Sequence, residues 1–132
     1  LNELGISGLR DKPLFSLSGG MRQNAYIAMA LAQDAEYILL DEPTSYLDIS
    51  HQLELMKSMK KLTALGKGVV SVLHDLPLAF SFSDYIVVLN NGVVVAEGTP
   101  EDLYNRPIIR EVFGIELDYS VEEKSYRYKY IL

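Results

Sequence analysis

The 132 residues include no cysteine. Disulfide scaffolds, thiolate zinc sites and a Cys nucleophile are therefore excluded, and the absence fits a reducing compartment. Positive charge is scarce: 12 Lys and Arg stand against 18 Asp and Glu, a net charge of −6. A nucleic-acid binder working through bulk electrostatics needs the opposite balance, because phosphates are neutralised by surplus Lys and Arg. No apolar run approaches the roughly 18 residues of a membrane span. The longest, Ala25 to Ala32, is far too short. Leu1-Asn2-Glu3-Leu4 is neither a signal peptide nor an initiator Met, so the chain is expected to be processed or cut from something longer. Internal repeats, low-complexity tracts and long linkers are lacking too. What remains is 48% hydrophobic and 23% charged, a composition that argues against disorder and suits one domain with a real core.

Residues 2–9 read as a short helical stretch, weakened by Gly5 and Gly8, and a loop follows around Pro13. Leu17-Ser18-Gly19-Gly20 is a break, succeeded by helical periodicity from about Met21 to Gln33. Tyr37-Ile38-Leu39-Leu40 is apolar on both faces, the pattern of a parallel strand covered by helices, and Asp41-Glu42-Pro43 ends it. Ile49 to Leu65 reads as a second helix, with Leu55, Met59 and Leu62 in a stripe and Gly66 as its stop. Val69 to Leu73 is another buried strand, ending at His74-Asp75. Strand, helix, strand in this order is a βαβ crossover, and the class is α/β.

Leu76-Pro77 opens a third helix, roughly to Phe82. Tyr85 to Leu89 and Val93 to Glu97 flank Asn90-Asn91-Gly92, a tight-turn signal for a hairpin. Pro100 to Tyr104 and Pro107 to Val112 are short helices with Pro near the start. In the tail, Ile115, Leu117 and Tyr119 alternate, then Tyr126, Tyr128 and Tyr130, predicting a second hairpin that turns at Glu122 to Ser125.

Ligands of open α/β sheets bind beyond the carboxyl ends of the parallel strands. There the sequence places Asp41-Glu42 and His74-Asp75. Successive strand residues point to opposite faces, so Asp41 and Glu42 diverge unless the chain turns, and Pro43 suggests that it does. One carboxylate could hold a hydrated Mg²⁺ while the other orients a water; a solvated strand end is the plainer alternative. His74 has the alternative of a capping role. Ser18-Gly19-Gly20 before a helix offers free N–H groups, a positive dipole end and a hydroxyl, all suited to phosphate. An N-cap serine with flexible glycines is the alternative there. Anion site, acid pair and polar His in one α/β chain point to a nucleoside triphosphate. Yet the chain holds no G-x-x-x-x-G-K-[ST] phosphate loop; Gly66-Lys67-Gly68 is a helix stop followed by a strand.

These residues carry a resemblance. Leu17-Ser18-Gly19-Gly20-Met21-Arg22-Gln23 resembles the signature motif of the ATP-binding cassette (ABC) ATPases, a family with a P-loop NTPase core. Tyr37 to Thr44 resembles their Walker B strand with its catalytic glutamate, Ser45-Tyr46-Leu47-Asp48 their D-loop, and His74 stands at the switch histidine. The segment from Leu47 to Glu54, with Val112-Phe113-Gly114-Ile115, is similar to the subfamily powering import of ferric siderophores, haem or cobalamin.

The resemblance implies Asp41 as the Mg²⁺ residue through water, Glu42 as the residue polarising the attacking water, and His74 at the γ-phosphate. It implies Ser18, Gly19 and Gly20 on the γ-phosphate of ATP held by an opposite protomer, with Asp48 linking the two sites across the dimer. Such chemistry is mostly positioning and electrostatic stabilisation. ATP, Mg²⁺, a second nucleotide-binding domain in head-to-tail arrangement and membrane permease subunits follow as implied partners, at the cytoplasmic face of the membrane and without nucleic acid.

The resemblance further implies a domain about twice this length. Residues 1–36 would be the end of the helical subdomain, 37–114 the second half of the catalytic core, and 115–132 a C-terminal hairpin. Alone, such a chain is expected to be inactive. Two residues depart from the signature pattern: Met21 replaces the commonest Gln, and Asn24 replaces the usual Arg.

A soluble, non-transport ABC ATPase and a non-catalytic interaction module are the competing readings. Tyr126, Tyr128 and Tyr130 interleave with Arg127 and Lys129, which favours a cross-strand ladder over base stacking in so acidic a chain. His51 falls on an exposed-looking helix start and is read as non-functional. Glu101-Asp102 suits the positive end of a short helix.

Overall fold

The computed structural model describes Gly8 and residues 11–129. The expected helix over 2–9 and the outward end of the ladder at Tyr130 lie outside the described residues. The chain divides into two compact units, Leu1–Leu73 and His74–Leu132.

In the first unit, a 3₁₀ turn at Leu14–Ser16 leads into α1 (Gly19–Ala32), β1 (Tyr37–Asp41), α2 (Ile49–Ala64) and β2 (Gly68–Val72). β1 and β2 pair in parallel from Tyr37↔Gly68 to Asp41↔Val72, with α2 as the crossover. Helix α2 buries Leu55, Met56, Ser58, Met59 and Leu62, the predicted stripe widened by its neighbours. Ile27 of α1 and Ile38 of β1 are buried in the same unit. Gly66, at φ +84°, ends the helix in a conformation that glycine adopts freely.

Two expectations are corrected here. Helix α1 begins at Gly19 rather than near Met21, so the glycine pair forms its first turn. The strands are covered on one face only: Ile38 is 3% exposed, whereas Tyr37, Leu39, Val70 and Val72 are 70%, 76%, 56% and 48% exposed. These four share one face by the register, and among the described residues no element lies over it.

The second unit runs α3 (Leu76–Phe82), β3 (Ile86–Asn90), β4 (Val93–Gly98), α4 (Pro100–Tyr104), α5 (Ile108–Phe113), β5 (Leu117–Ser120) and β6 (Ser125–Tyr128). Both antiparallel hairpins form where the turn residues placed them. Asn91 and Gly92 take φ +50° and +77°, the pair of positive values that a two-residue hairpin turn requires. Thr99 and Asp102 make a capping box on α4, which places both acids of Glu101-Asp102 in the first turn. Leu76, Phe80, Val88, Ala96, Leu103, Ile109 and Leu117 form the core. The Tyr126 ring meets Phe80 and Tyr104 edge-on at 5.3 Å and Tyr119 at 4.9 Å, so it is packing material and no open stacking platform. Asp118 and Arg127 pair across the same ladder at 2.8 Å.

Candidate functional site

The first unit gathers most of the predicted residues around one loop. Asp41 is the last residue of β1 and is exposed. At Glu42 the backbone turns abruptly, with φ +45° in a non-glycine residue that also precedes Pro43. That region is sparsely populated by L-residues and is disfavoured again before proline. The acid pair therefore sits on a bend, as the pair of sequence signals suggested. The Ser45 N–H donates to the Glu42 carbonyl at 3.1 Å, and the Ser45 hydroxyl donates to Glu42 Oε2 at 3.2 Å. A second left-handed residue, Tyr46 at φ +63°, is fully exposed at the tip.

The far side of the loop is held by α2. Gln52 Nε2 donates to the carbonyls of Thr44 at 3.2 Å and Leu47 at 3.1 Å. Asp48 caps α2 by accepting from the His51 N–H at 2.9 Å, and it accepts from the Ser50 hydroxyl at 2.7 Å. His51 Nδ1 lies 2.8 Å from both Asp48 oxygens. These contacts, the His51 N–H foremost, hold the Asp48 carboxyl well below the usual carboxylate range. Asp48 therefore stays ionised at neutral pH.

Ser18 stands immediately before α1. Its carbonyl accepts from the Arg22 N–H at 2.9 Å and its hydroxyl from the Met21 N–H at 3.4 Å, so the capping geometry is present. The exposed Gly19 and half-exposed Gly20 form the first turn of a 14-residue helix whose leading N–H groups have no intrahelical partners. A Cβ on Gly19 would lie 3.2 Å from Leu47, and one on Gly20 would lie 2.6 Å from the His51 ring. The glycines thus let the helix start approach the Asp48 loop. Arg22 reaches back to the carbonyls of Leu14 and Leu17, both at 3.3 Å, and steadies the preceding turn.

His74 is the first residue of the second unit and is exposed. It directly precedes Asp75, which caps α3 by accepting from the Leu78 N–H at 2.9 Å. The structure thus sets the Gly19-Gly20 turn that follows Ser18 against Leu47 and His51, the latter on Asp48, and one loop leads from there back to Asp41 and Glu42. His74 belongs to the other unit. The departure at Asn24 has a visible counterpart: its Oδ1 is buried with no hydrogen-bond partner. Two residues that the sequence does not single out for the site, His51 and Gln52, also hold this loop. The Asp48–His51 spacing at a helix start was the signal for the first; nothing in the sequence announced that Gln52 turns back onto the loop.

Comparison with known proteins decides the family. The family model described as "ABC transporter" matches residues 1–45. The petrobactin import ATP-binding protein of Bacillus subtilis is 44% identical over 118 residues, which are 89% of this chain and 47% of that protein. The iron(3+)-hydroxamate import ATP-binding protein of the same organism is 43% identical over 119 residues, 89% of this chain and 44% of that protein. A solved metal-chelate type ABC transporter in an inward-facing conformation superposes with a TM-score of 0.84 at 26% identity, over 98% of this chain and 54% of that one. The chain belongs to the ABC transporter ATPases. It spans about half the length of the curated relatives it matches.

Within this ABC ATPase the donor set can be judged against the family's ligands. Among the described residues no group of three or more His, Cys, Asp or Glu is placed to hold a metal. Mg²⁺ needs no such cage, since it keeps several waters and takes one or two carboxylates plus phosphate oxygens. The exposed Asp41 at a strand end fits that demand. The α1 start, where the Gly19 and Gly20 N–H groups have no intrahelical partners and the Ser18 hydroxyl lies beside them, fits an anion. Among the described residues no helix is long and apolar enough to cross a membrane.

Proposed function

We propose that this chain is the part of an ATP-hydrolysing import subunit that carries the signature motif and the second half of the catalytic core, serving uptake of a ferric siderophore, haem or cobalamin. The observation that carries the proposal is the 40–44% identity with petrobactin, hydroxamate and achromobactin transport ATP-binding proteins over 88–89% of the chain. The bend at Asp41-Glu42 supports the division of labour: Asp41 holds Mg²⁺ through water and Glu42 polarises the attacking water. His74 contacts the γ-phosphate. Ser18, Gly19 and Gly20 receive the γ-phosphate of ATP bound by a second nucleotide-binding domain, and Asp48 links the two sites. Mg²⁺ would supply neutralisation of phosphate charge; the chain's residues position and orient.

In this reading residues 1–36 end the helical subdomain, 37–114 complete the core and 115–132 form the terminal hairpin. Permease subunits anchor the dimer at the cytoplasmic face of the membrane. The 132-residue chain alone, with no phosphate loop of its own, hydrolyses ATP negligibly. The test is Glu42→Gln in the full-length subunit assembled with its permease. ATP binding should persist while turnover is abolished; parental turnover would remove Glu42 from its role.

A further inference from the structure

Two helix starts in the first unit meet at a single ring. One edge of the His51 imidazole is set against α1: the Cβ that Gly20 lacks would fall 2.6 Å from His51 Cδ2 and 3.2 Å from Cγ. Across Cγ, on the opposite edge, Nδ1 is 2.8 Å from both carboxylate oxygens of Asp48. The His51 backbone N–H holds Asp48 Oδ1 as well, at 2.9 Å, so ring and main chain grip the same group. A side chain that would otherwise sample several rotamers is pinned from two sides.

On the α1 side there is no flexible side chain to absorb a displacement, because Gly20 presents bare backbone. Leu47 makes a parallel approach to Gly19, where an added Cβ would lie 3.2 Å from Leu47 Cδ2. That contact is apolar and does not touch the Asp48 carboxylate. The only side chain among the described contacts that touches both the carboxylate and the glycine turn is His51.

We propose that His51 is a positioning residue that ties the Asp48 loop to the glycine start of α1, so that a change at the Asp48 carboxylate is transmitted to the Gly19 and Gly20 amides. Its functional meaning rests on the reading above, in which both ends face nucleotide. The tie itself is a property of the folded chain and is tested without nucleotide. A physical link of this kind needs demonstrated coupling beyond proximity.

The experiment reads amide chemical shifts in the 132-residue chain. Asp48→Asn keeps an oxygen able to cap α2 but removes the charge that grips the ring. It is made in the parent, in His51→Phe and in His51→Asn. The first background keeps bulk at Gly20 and loses the grip on Asp48; the second keeps a donor and withdraws from Gly20. Asp48→Asn should move the Gly19 and Gly20 signals in the parent, and the displacement should fall by about threefold or more in both backgrounds. Equal displacement in all three, or none in the parent, overturns the proposal. Undisturbed Ile27 and Leu62 signals certify the fold of each variant, and if one background fails that check the other decides. A negative result here leaves the ATPase reading standing, whereas failure of the Glu42→Gln test would leave the tie standing.

Discussion

The bend at Glu42 makes an unusual demand that can be measured. In ordinary helical or extended backbone, Ala is preferred to Gly by roughly 0.5–1 kcal/mol. Glu42 sits at φ +45°, where a side chain costs about 1–2 kcal/mol. Glu42→Ala keeps that cost and also loses the exposed contact between the Ser45 hydroxyl and Oε2, worth about 0.5 kcal/mol. Glu42→Gly loses the same contact, gains relief of the strain and gives back roughly 0.5–1 kcal/mol of chain entropy. Glycine should therefore exceed alanine at position 42 by roughly 0.5–1 kcal/mol, the reverse of the usual order. Exposed Lys57 within α2 serves as the control, where alanine should exceed glycine by about 1 kcal/mol. Urea unfolding followed through the Ile27 and Leu62 amides reports the first unit, and a midpoint change at constant slope gives the difference. If alanine equals or betters glycine at 42 as it does at 57, the strain argument is wrong. In the full-length subunit the more comfortable Glu42→Gly should still be inactive, separating the strained backbone from the carboxylate it presents.

Gly20→Ala should destabilise the first unit by about 1–2 kcal/mol despite alanine's helix preference, since the new Cβ meets a ring anchored by Asp48; His51→Ala in the same chain should restore the urea midpoint. In the second unit, Lys129 at 2.9 Å and Arg110 at 3.3 Å lower the Glu116 pKa. A carboxylate lowered on folding contributes stability above its unfolded pKa and loses it as pH falls through the folded value, so melting of this unit should drop below about pH 4.3 and Glu116→Gln should flatten that limb. The bare face of β1 and β2 should drive association, which Leu39→Lys with Val70→Lys should reduce; light scattering that finds the parent chain a clean monomer at high concentration would refute this.

Much of this was legible in the chain because the decisive signals are local. Asn91-Gly92 requires a turn that only positive φ satisfies, and the hairpin formed around it. Asp48 and Asp75 each lie one residue before an apolar period, and each caps its helix. Pro43 after two acids foretold the bend. Glycine propensity argues against a helix start at Gly19, whereas the approach of Leu47 and His51 leaves room only for glycine in that first turn. Gln52 was invisible for a related reason: a glutamine on a helix surface has no signature until a loop carbonyl lies within reach. The exposure that the sequence predicts for His51 is there in part, and one-sided exposure leaves the other edge of an imidazole free to hold a carboxylate.

The uncovered sheet face shows what a strand's sequence encodes. An apolar run such as Tyr37 to Leu40 specifies cover on two faces, whereas a strand meant to face water alternates. In β1 and β2 one face is satisfied by Ile38, and the other presents Tyr37, Leu39, Val70 and Val72. Gly68 opposite Tyr37 belongs to the same design, because a Cβ there would fall 2.5 Å from the tyrosine ring. Fully burying such side chains yields about 1.5–3 kcal/mol each. Completing the burial of these four, now half to three-quarters exposed, would be worth roughly 5 kcal/mol, which is comparable to the whole stability of a small domain. Asp41 and Glu42 ride on the end of that strand, so whatever covers the face also fixes the platform from which both carboxylates are presented.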